Sequence, residues 1–312
     1  MTDKLAFVFP GQGSQQVGML ADVIEEPKVV ATFAEASDVL GFDLADLITQ
    51  GPAEKLNQTE NTQPALLTAS VALWRLFCER GGQAPAIMAG HSLGEYSALV
   101  CAGALDFKDA VKLVNLRGQF MQAAVAPGEG AMAAILGLDD STVVDVCKQA
   151  AGEEVVEAVN FNAPGQVVVA GQVAAVKRAV KLAKEAGARK AIELPVSVPS
   201  HCALMKPAAE RLGAELEKIT LNAPTIPVVQ NVTADVCSDP DQLKQNLIAQ
   251  LYSPVRWVET ILAMQNAGVD AFAECGPGKV LAGLNKRIIR RAPVTPLESE
   301  AGMSSLVNEG EK

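Results

Sequence analysis

The stretch AIMAGHSLGEYSALVCAGAL, residues 86–105, decides the fold. Ala86 to Ala89 form a short apolar run, which reads as a buried strand. The run passes straight into Gly90-His91-Ser92-Leu93-Gly94, and small and apolar residues with a helical pattern follow. Strand, sharp turn and helix make one unit of an α/β sheet. The turn matches G-x-S-x-G, in which a serine sits on a strained strand-to-helix bend with its Oγ exposed. Glycines flank the serine because a Cβ would clash at so tight a bend. Ser92 also falls at a helix N-terminus, where free N–H groups and the helix dipole favour a developing oxyanion. Three fixed residues of roughly 7% frequency give about 0.1 chance matches in a chain of this length. The flanking strand and helix, more than the bare match, therefore carry the reading.

Outward from this unit the pattern continues. Residues 5–9, LAFVF, are a second buried strand, stopped by Pro10 and Gly11. Helical spacing runs over 28–40 and over 64–80, the latter from Pro64 to the pair Gly81-Gly82. Asp106 reads as the N-cap of a helix to about residue 125. The segment 127–198 predicts strand 131–137, helix 140–151, strands 154–161 and 166–170 joined through NAPG, helix 173–187 and strand 189–194. That β-α-β-β-α-β order is the ferredoxin-like unit. Mixed patterning resumes after it, with helices at 207–219 and 240–251 and strands at 226–231 and 270–274. The expected architecture is thus a large α/β domain, 1–126 and 199–312, interrupted by a small ferredoxin-like subdomain, 127–198. The tail from about 299 is polar and is expected to fray.

Composition removes several classes of function. The chain has 312 residues, 49% hydrophobic and 20% charged, enough for a sizeable core. A net charge of −10 argues against nucleic-acid or anionic-membrane partners. The six cysteines form no CxxC pair, and with only two histidines no zinc spacing exists. Scattered cysteines fit a reducing compartment. The first apolar run is too short for a signal peptide, and no stretch is long enough to span a bilayer. A cytoplasmic protein is expected.

A serine hydroxyl needs a base to attack an ester or thioester, and histidine is the usual one. His91 adjoins Ser92, and neighbours at an elbow point apart. His201, in LPVSVPSHCALMKP, is then the base by elimination. No carboxylate stands out as a third member: Asp106, Asp109, Asp139, Glu210 and Glu215 are all open. On the helix after the nucleophile, Ala110, Val114, Arg117 and Met121 share one face, so Arg117 points inward. A buried guanidinium needs an anion, either a protein carboxylate or a substrate's. PGQGSQQVG is no dinucleotide fingerprint, because Gln16 holds the third glycine position, but its N–H groups suit one oxyanion donor. GPGK at 276–279 is no phosphate loop, since Val280 follows; it reads as a turn opening a final helix.

FVFPGQGSQ at 7–15, TQPALL at 62–67, GHSLGEYSAL at 90–99, RGQFMQ at 117–122, NFNAPGQVVVAG at 160–171, VSVPSH at 196–201 and ECGPGKVL at 274–281 together resemble the malonyl-CoA:acyl carrier protein transacylases of bacterial fatty acid synthesis. The likeness runs from about residue 4 to 298. It implies an α/β-hydrolase-like core with a ferredoxin-like insert, and a ping-pong transfer of malonyl from CoA to the phosphopantetheine thiol of acyl carrier protein. By this resemblance Ser92 carries the acyl ester, His201 activates it, and the backbone carbonyl of Gln250 orients His201. The N–H groups of Gln12 and Leu93 form the oxyanion hole, Arg117 grips the malonyl carboxylate, and Gln63, Met121, Asn160 and Asn162 line the pocket. Leu93 goes with malonyl rather than methylmalonyl in related modular enzymes. No metal or redox cofactor is implied, malonyl-CoA being a substrate, and a monomer is expected. The carrier is acidic, which points to Lys286, Arg287, Arg290 and Arg291, or to Lys177, Arg178, Lys181 and Lys184, as its landing site. A serine thioesterase or esterase with the same Ser92–His201 pair is the rival, and a noncatalytic docking module the second.

Overall fold

The computed structural model describes residues 4–196 and 198–308. In chain order the elements begin β1 (Leu5–Phe9), α1 (Pro27–Leu40), α2 (Leu44–Gln50), α3 (Ala53–Leu56), α4 (Thr59–Glu79), β2 (Ile87–Gly90), α5 (Gly94–Cys101) and α6 (Phe107–Ala123). Then come β3 (Gly130–Leu136), α7 (Asp140–Ala151), β4 (Val156–Ala163), β5 (Gln166–Gln172), α8 (Val173–Glu185) and β6 (Lys190–Glu193). The chain continues through α9 (Lys206–Leu216), β7 (Val228–Val229), α10 (Pro240–Gln250), α11 (Trp257–Asn266), β8 (Ala271–Glu274), α12 (Val280–Ile288), β9 (Val294–Pro296) and α13 (Glu300–Asn308).

These strands make two sheets. The first is parallel, in the order β7-β2-β1-β8-β9. Counting its strands along the chain, that is 3-2-1-4-5, the doubly wound order, whose strand order reverses at β1. Both faces are covered, as a parallel sheet requires. Phe7 and Phe9 point into the larger core with Met88, while Ala6 and Val8 join Ala89, Val229 and Phe272 on the other face. The second sheet is antiparallel, in the order β4-β5-β3-β6. One of its faces packs Ala133, Ile135, Val167 and Val169 against α7 and α8. The opposite face, with Met132 and Val168, looks into the cleft between the two sheets.

Three expectations need correcting. The helix placed at 64–80 begins at Thr59, so Pro64 lies inside it. Proline gives no N–H to the carbonyl four residues back; here that carbonyl, on Glu60, accepts instead from Asn115 Nδ2 on α6 at 2.8 Å. The tail does not fray through its described length: α13 forms because Met303 is fully buried and Arg80 holds Glu300. Residues 309–312 lie outside the described residues. The helix at 280 is therefore not the last, and α2, α3, α11 and β9 were not anticipated from the sequence.

Candidate active site

Ser92 follows β2 with φ of +52°, a conformation that L-residues adopt only under constraint. The bend is packed from below. A Cβ on Gly90 would lie 1.8 Å from the Gly94 carbonyl carbon, and one on Gly94 would lie 2.0 Å from the Phe9 carbonyl oxygen. The elbow thus rests on the end of β1, to which the His91 N–H also bonds at 2.9 Å. From the turn just after β7, Asn231 clamps the elbow: its Oδ1 accepts from the Ser92 N–H at 2.7 Å and its Nδ2 donates to the Gly90 carbonyl at 2.6 Å.

His201 meets this serine from the segment before α9. Its Nε2 is 2.8 Å from Ser92 Oγ, and its Nδ1 is 2.7 Å from the Gln250 carbonyl oxygen. A carbonyl only accepts, so Nδ1 carries the proton and Nε2 presents its lone pair to the hydroxyl. The His201 N–H donates to the Leu251 carbonyl. Both acceptors are carbonyls that α10 leaves unpaired at its C-terminus. Aspartates and glutamates left open as a third member lie elsewhere: Asp106 caps α6, Asp139 caps α7 and Glu215 pairs with Lys218. Burial, and then the Arg117 charge, push His201 down to about 3. It rests as the free base at neutral pH.

Arg117 is 1% exposed. Its Nη1 donates to Gln63 Oε1 at 2.8 Å, and its Nη2 to Gln250 Oε1 at 3.0 Å and, weakly, to Ser92 Oγ at 3.4 Å. Among the described residues none of its hydrogen-bond partners is a carboxylate, and Nε has no partner. Gln63 is turned by Met121, whose Sδ accepts from Gln63 Nε2 at 3.5 Å. Gln12, Ser92, Leu93, Arg117, Met121, Asn160, Asn162 and His201 line one cavity of about 340 Å³. Gln63 and Gln250 stand behind Arg117. Asn162 Oδ1 bonds His91 Nε2 at 2.7 Å, tying β4 of the small sheet to the elbow. Neither the Gln12 nor the Leu93 N–H bonds an acceptor among the described residues. No group of three His, Cys, Asp or Glu side chains is placed to hold a metal among them.

The described fold agrees with the comparisons. The model of the acyl transferase domain matches residues 6–304. The chain belongs to the acyl transferase family. This acyltransferase is 58% identical to the malonyl CoA-acyl carrier protein transacylase of Escherichia coli K12, over 97% of its own length and 98% of the relative's. It is 61% identical to the one from Haemophilus influenzae over 92% of each chain. The solved structure of the Coxiella burnetii malonyl CoA-acyl carrier protein transacylase superposes with a TM-score of 0.97 at 50% identity, covering 98% of this chain and 97% of that one. A type II PKS acyl-carrier protein in complex with its malonyl-transacylase gives 0.97 at 53% identity, covering 98% and 99%.

Two residues of the acyltransferase site were missed in the sequence. Asn231 is fully buried, yet as the last letter of IPVVQN it looked like a strand end. Glu95 is fully buried too; the signal was a lone charge in the small and apolar run GEYSALVCAGAL.

Proposed function

We propose that this acyltransferase moves malonyl from CoA to the phosphopantetheine thiol of acyl carrier protein, for fatty acid synthesis, through an ester on Ser92. The observation that carries the reading is Arg117: a buried guanidinium that, among the described residues, has an unpaired Nε and no carboxylate as a hydrogen-bond partner, within reach of the nucleophile. A short acyl group with a terminal carboxylate supplies the missing anion. Ser92 Oγ attacks the thioester carbon while His201 Nε2 takes the hydroxyl proton; the C–S bond breaks and the proton passes to the CoA thiolate. In the second half His201 takes the proton of the carrier thiol, sulfur attacks the ester, and Ser92 Oγ recovers the proton. The Gln12 and Leu93 N–H groups hold the oxyanion in both halves. Gln250 orients His201; Met121, Asn160 and Asn162 line the pocket, and Gln63, expected to line it, instead holds Arg117 from behind. The cycle uses no metal or redox cofactor.

The same reading assigns residues 1–126 with 199–312 to the catalytic domain and 127–198 to a ferredoxin-like subdomain, supported by the order β4-β5-β3-β6. The likeness of the catalytic domain to α/β-hydrolases rests on the serine elbow, since its strands follow the 3-2-1-4-5 order. A monomer is part of the same proposal. All six cysteines are free, and no described helix is long and apolar enough to cross a membrane; both suit the cytoplasm. Of the two basic clusters, the one at the end of α12 is favoured for the carrier. Val280, Leu281 and Leu284 of that helix line the cavity, and Lys286, Arg287, Arg290 and Arg291 are exposed beside them. No residue of α8 lines the cavity.

The test is incubation with radiolabelled malonyl-CoA without acceptor. Label retained after denaturation, and lost in Ser92→Ala, is the expected result. Free malonate with no retained label would make water the acceptor and replace this reading with a thioesterase.

A further inference from the structure

Glu95 lies three residues after the nucleophile, on α5, fully buried, and the transfer chemistry gives it no part. Its Oε2 accepts from Gln250 Nε2 at 3.0 Å and from the Asn231 N–H at 2.9 Å, while Oε1 has no partner among the described residues. Gln250 Nε2 gives its other proton to the Ser92 carbonyl at 2.9 Å. An amide carries two donor protons at one end and an acceptor at the other. With both protons taken, its orientation is fixed, and Gln250 Oε1 is turned to Arg117 Nη2 at 3.0 Å.

We propose that Glu95 is a positioning residue that sets the preference of the site for carboxylated acyl groups: by locking the Gln250 amide it holds the Arg117 guanidinium where an acyl carboxylate meets it. The inference rests on the malonyl reading above. Without the Glu95 acceptor one Nε2 proton is left unpaired in a buried space, and the amide NH2 is held by the Ser92 carbonyl alone, free to swing in search of a second acceptor. The amide Oε1 then moves off Arg117 Nη2, and the guanidinium loses the hydrogen bond that places it. Acetyl has no carboxylate for Arg117 to hold, so the loss falls on malonyl. Burial pushes the Glu95 carboxyl up to about 7. Oε2 accepts both bonds in either protonation state, so the brace needs an oxygen at that reach more than a negative charge.

The measurement is the ratio of kcat/KM for acylation by malonyl-CoA to that by acetyl-CoA. The ratio cancels the fraction of active enzyme, so partial misfolding does not imitate the effect. Glu95→Gln keeps an oxygen at the same reach without charge, and Glu95→Asp keeps the charge but withdraws it by one methylene. Glu95→Gln is expected to stay within about threefold of the wild-type ratio, and Glu95→Asp to lower it about tenfold, the scale of one lost hydrogen bond to a charged or buried group. In an Arg117→Ala background, Glu95→Asp should lower the ratio no further. A ratio retained in both variants overturns the proposal. A ratio lost in Glu95→Gln, with or without loss in Glu95→Asp, makes charge the agent and overturns it as well. A wild-type enzyme with no preference for malonyl over acetyl instead removes the malonyl reading, and this inference with it.

Discussion

Ser92 and His201 both sit at positive φ, +52° and +66°. Each such conformation costs about 1–3 kcal/mol and persists only where the surroundings enforce it. For Ser92 the enforcing group is the Asn231 amide. Asn231→Ala strips the Ser92 N–H and the Gly90 carbonyl of their partners, and the variant is expected to lose about 2–4 kcal/mol of stability, by analogy with other buried polar groups left unmade. Urea unfolding reads that loss, and single-turnover acylation should slow with it; an unchanged unfolding midpoint would show that the elbow holds itself. His201 carries the second expectation. Because burial first and Arg117 second depress it to about 3, acylation should show no histidine limb between pH 7 and pH 5. Removing the cation in Arg117→Ala should move the acid limb of acetyl-CoA acylation to higher pH, and a limb that stays put would mean that burial alone sets the basicity. Ser92, His201 and Arg117 were legible in the sequence because each is chemically irreplaceable and two of them are scarce or out of place: one of two histidines, one cation on an apolar face. Asn231 and Glu95 were not, because their importance lies in partners 139 and 155 residues away, on Ser92 and Gln250.

At the scale of elements, the bend between β2 and α5 depends on contact with β1. Gly94→Ala would drive a methyl into the Phe9 carbonyl. The variant is expected to unfold well below the wild-type temperature, as seen by circular dichroism; a wild-type Tm would show that the elbow can lift away from the sheet without cost. Elements with caps and strong periodicity were legible: α6 begins at Asp106, whose carboxylate accepts from the Lys108 and Asp109 N–H groups. Others carried too little local signal. A three-residue strand such as β9 is defined by its pairing with Phe272, Ala273 and Glu274, not by its own letters. Pro64 marked the wrong boundary, because its cost is met by Asn115 from another helix. The polar α13 is held by one buried methionine and by ion pairing, neither of which shows as periodicity.

For the molecule as a whole, four buried groups set the response to acid. Unfolded, His91 and His201 take up protons below about 6.5 that the folded chain refuses, which erodes stability as pH falls. Glu95 and Glu274, pushed up to about 7 by burial, hold protons when folded that the unfolded chain releases above about 4.5, which adds stability over the same window. The two pairs oppose one another, so Tm is expected to stay nearly level from pH 7 to about pH 4.5 and to fall below it. Glu274→Gln removes one compensating proton and should make Tm decline from about pH 6.5; a level profile in that variant would refute the balance. The proposed landing site for the carrier is also a matter of charge. Reversal of Lys286, Arg290 and Arg291 is expected to lower kcat/KM for acyl carrier protein and flatten its salt dependence. Reversal of Lys177, Lys181 and Lys184 should do neither, and the opposite result would move the landing site to α8. The order of the six elements β3-α7-β4-β5-α8-β6 could be read from periodicity. The order of strands in the parallel sheet could not, because pairing between β1 and β8 spans more than 260 residues.

The carbonyls that hold His201 have a consequence for heredity. In a serine–histidine–aspartate triad the orienting group is a side chain, and a one-letter change deletes it. Here the imidazole is held by the peptide carbonyl of residue 250, and the backbone N–H of the same histidine by that of residue 251. Every codon supplies a carbonyl, so no missense change at either position removes the acceptor itself. A change at residue 250 can cost the site its hold on Arg117 and still keep the tautomer, and loss of the grip on His201 requires α10 to end somewhere else.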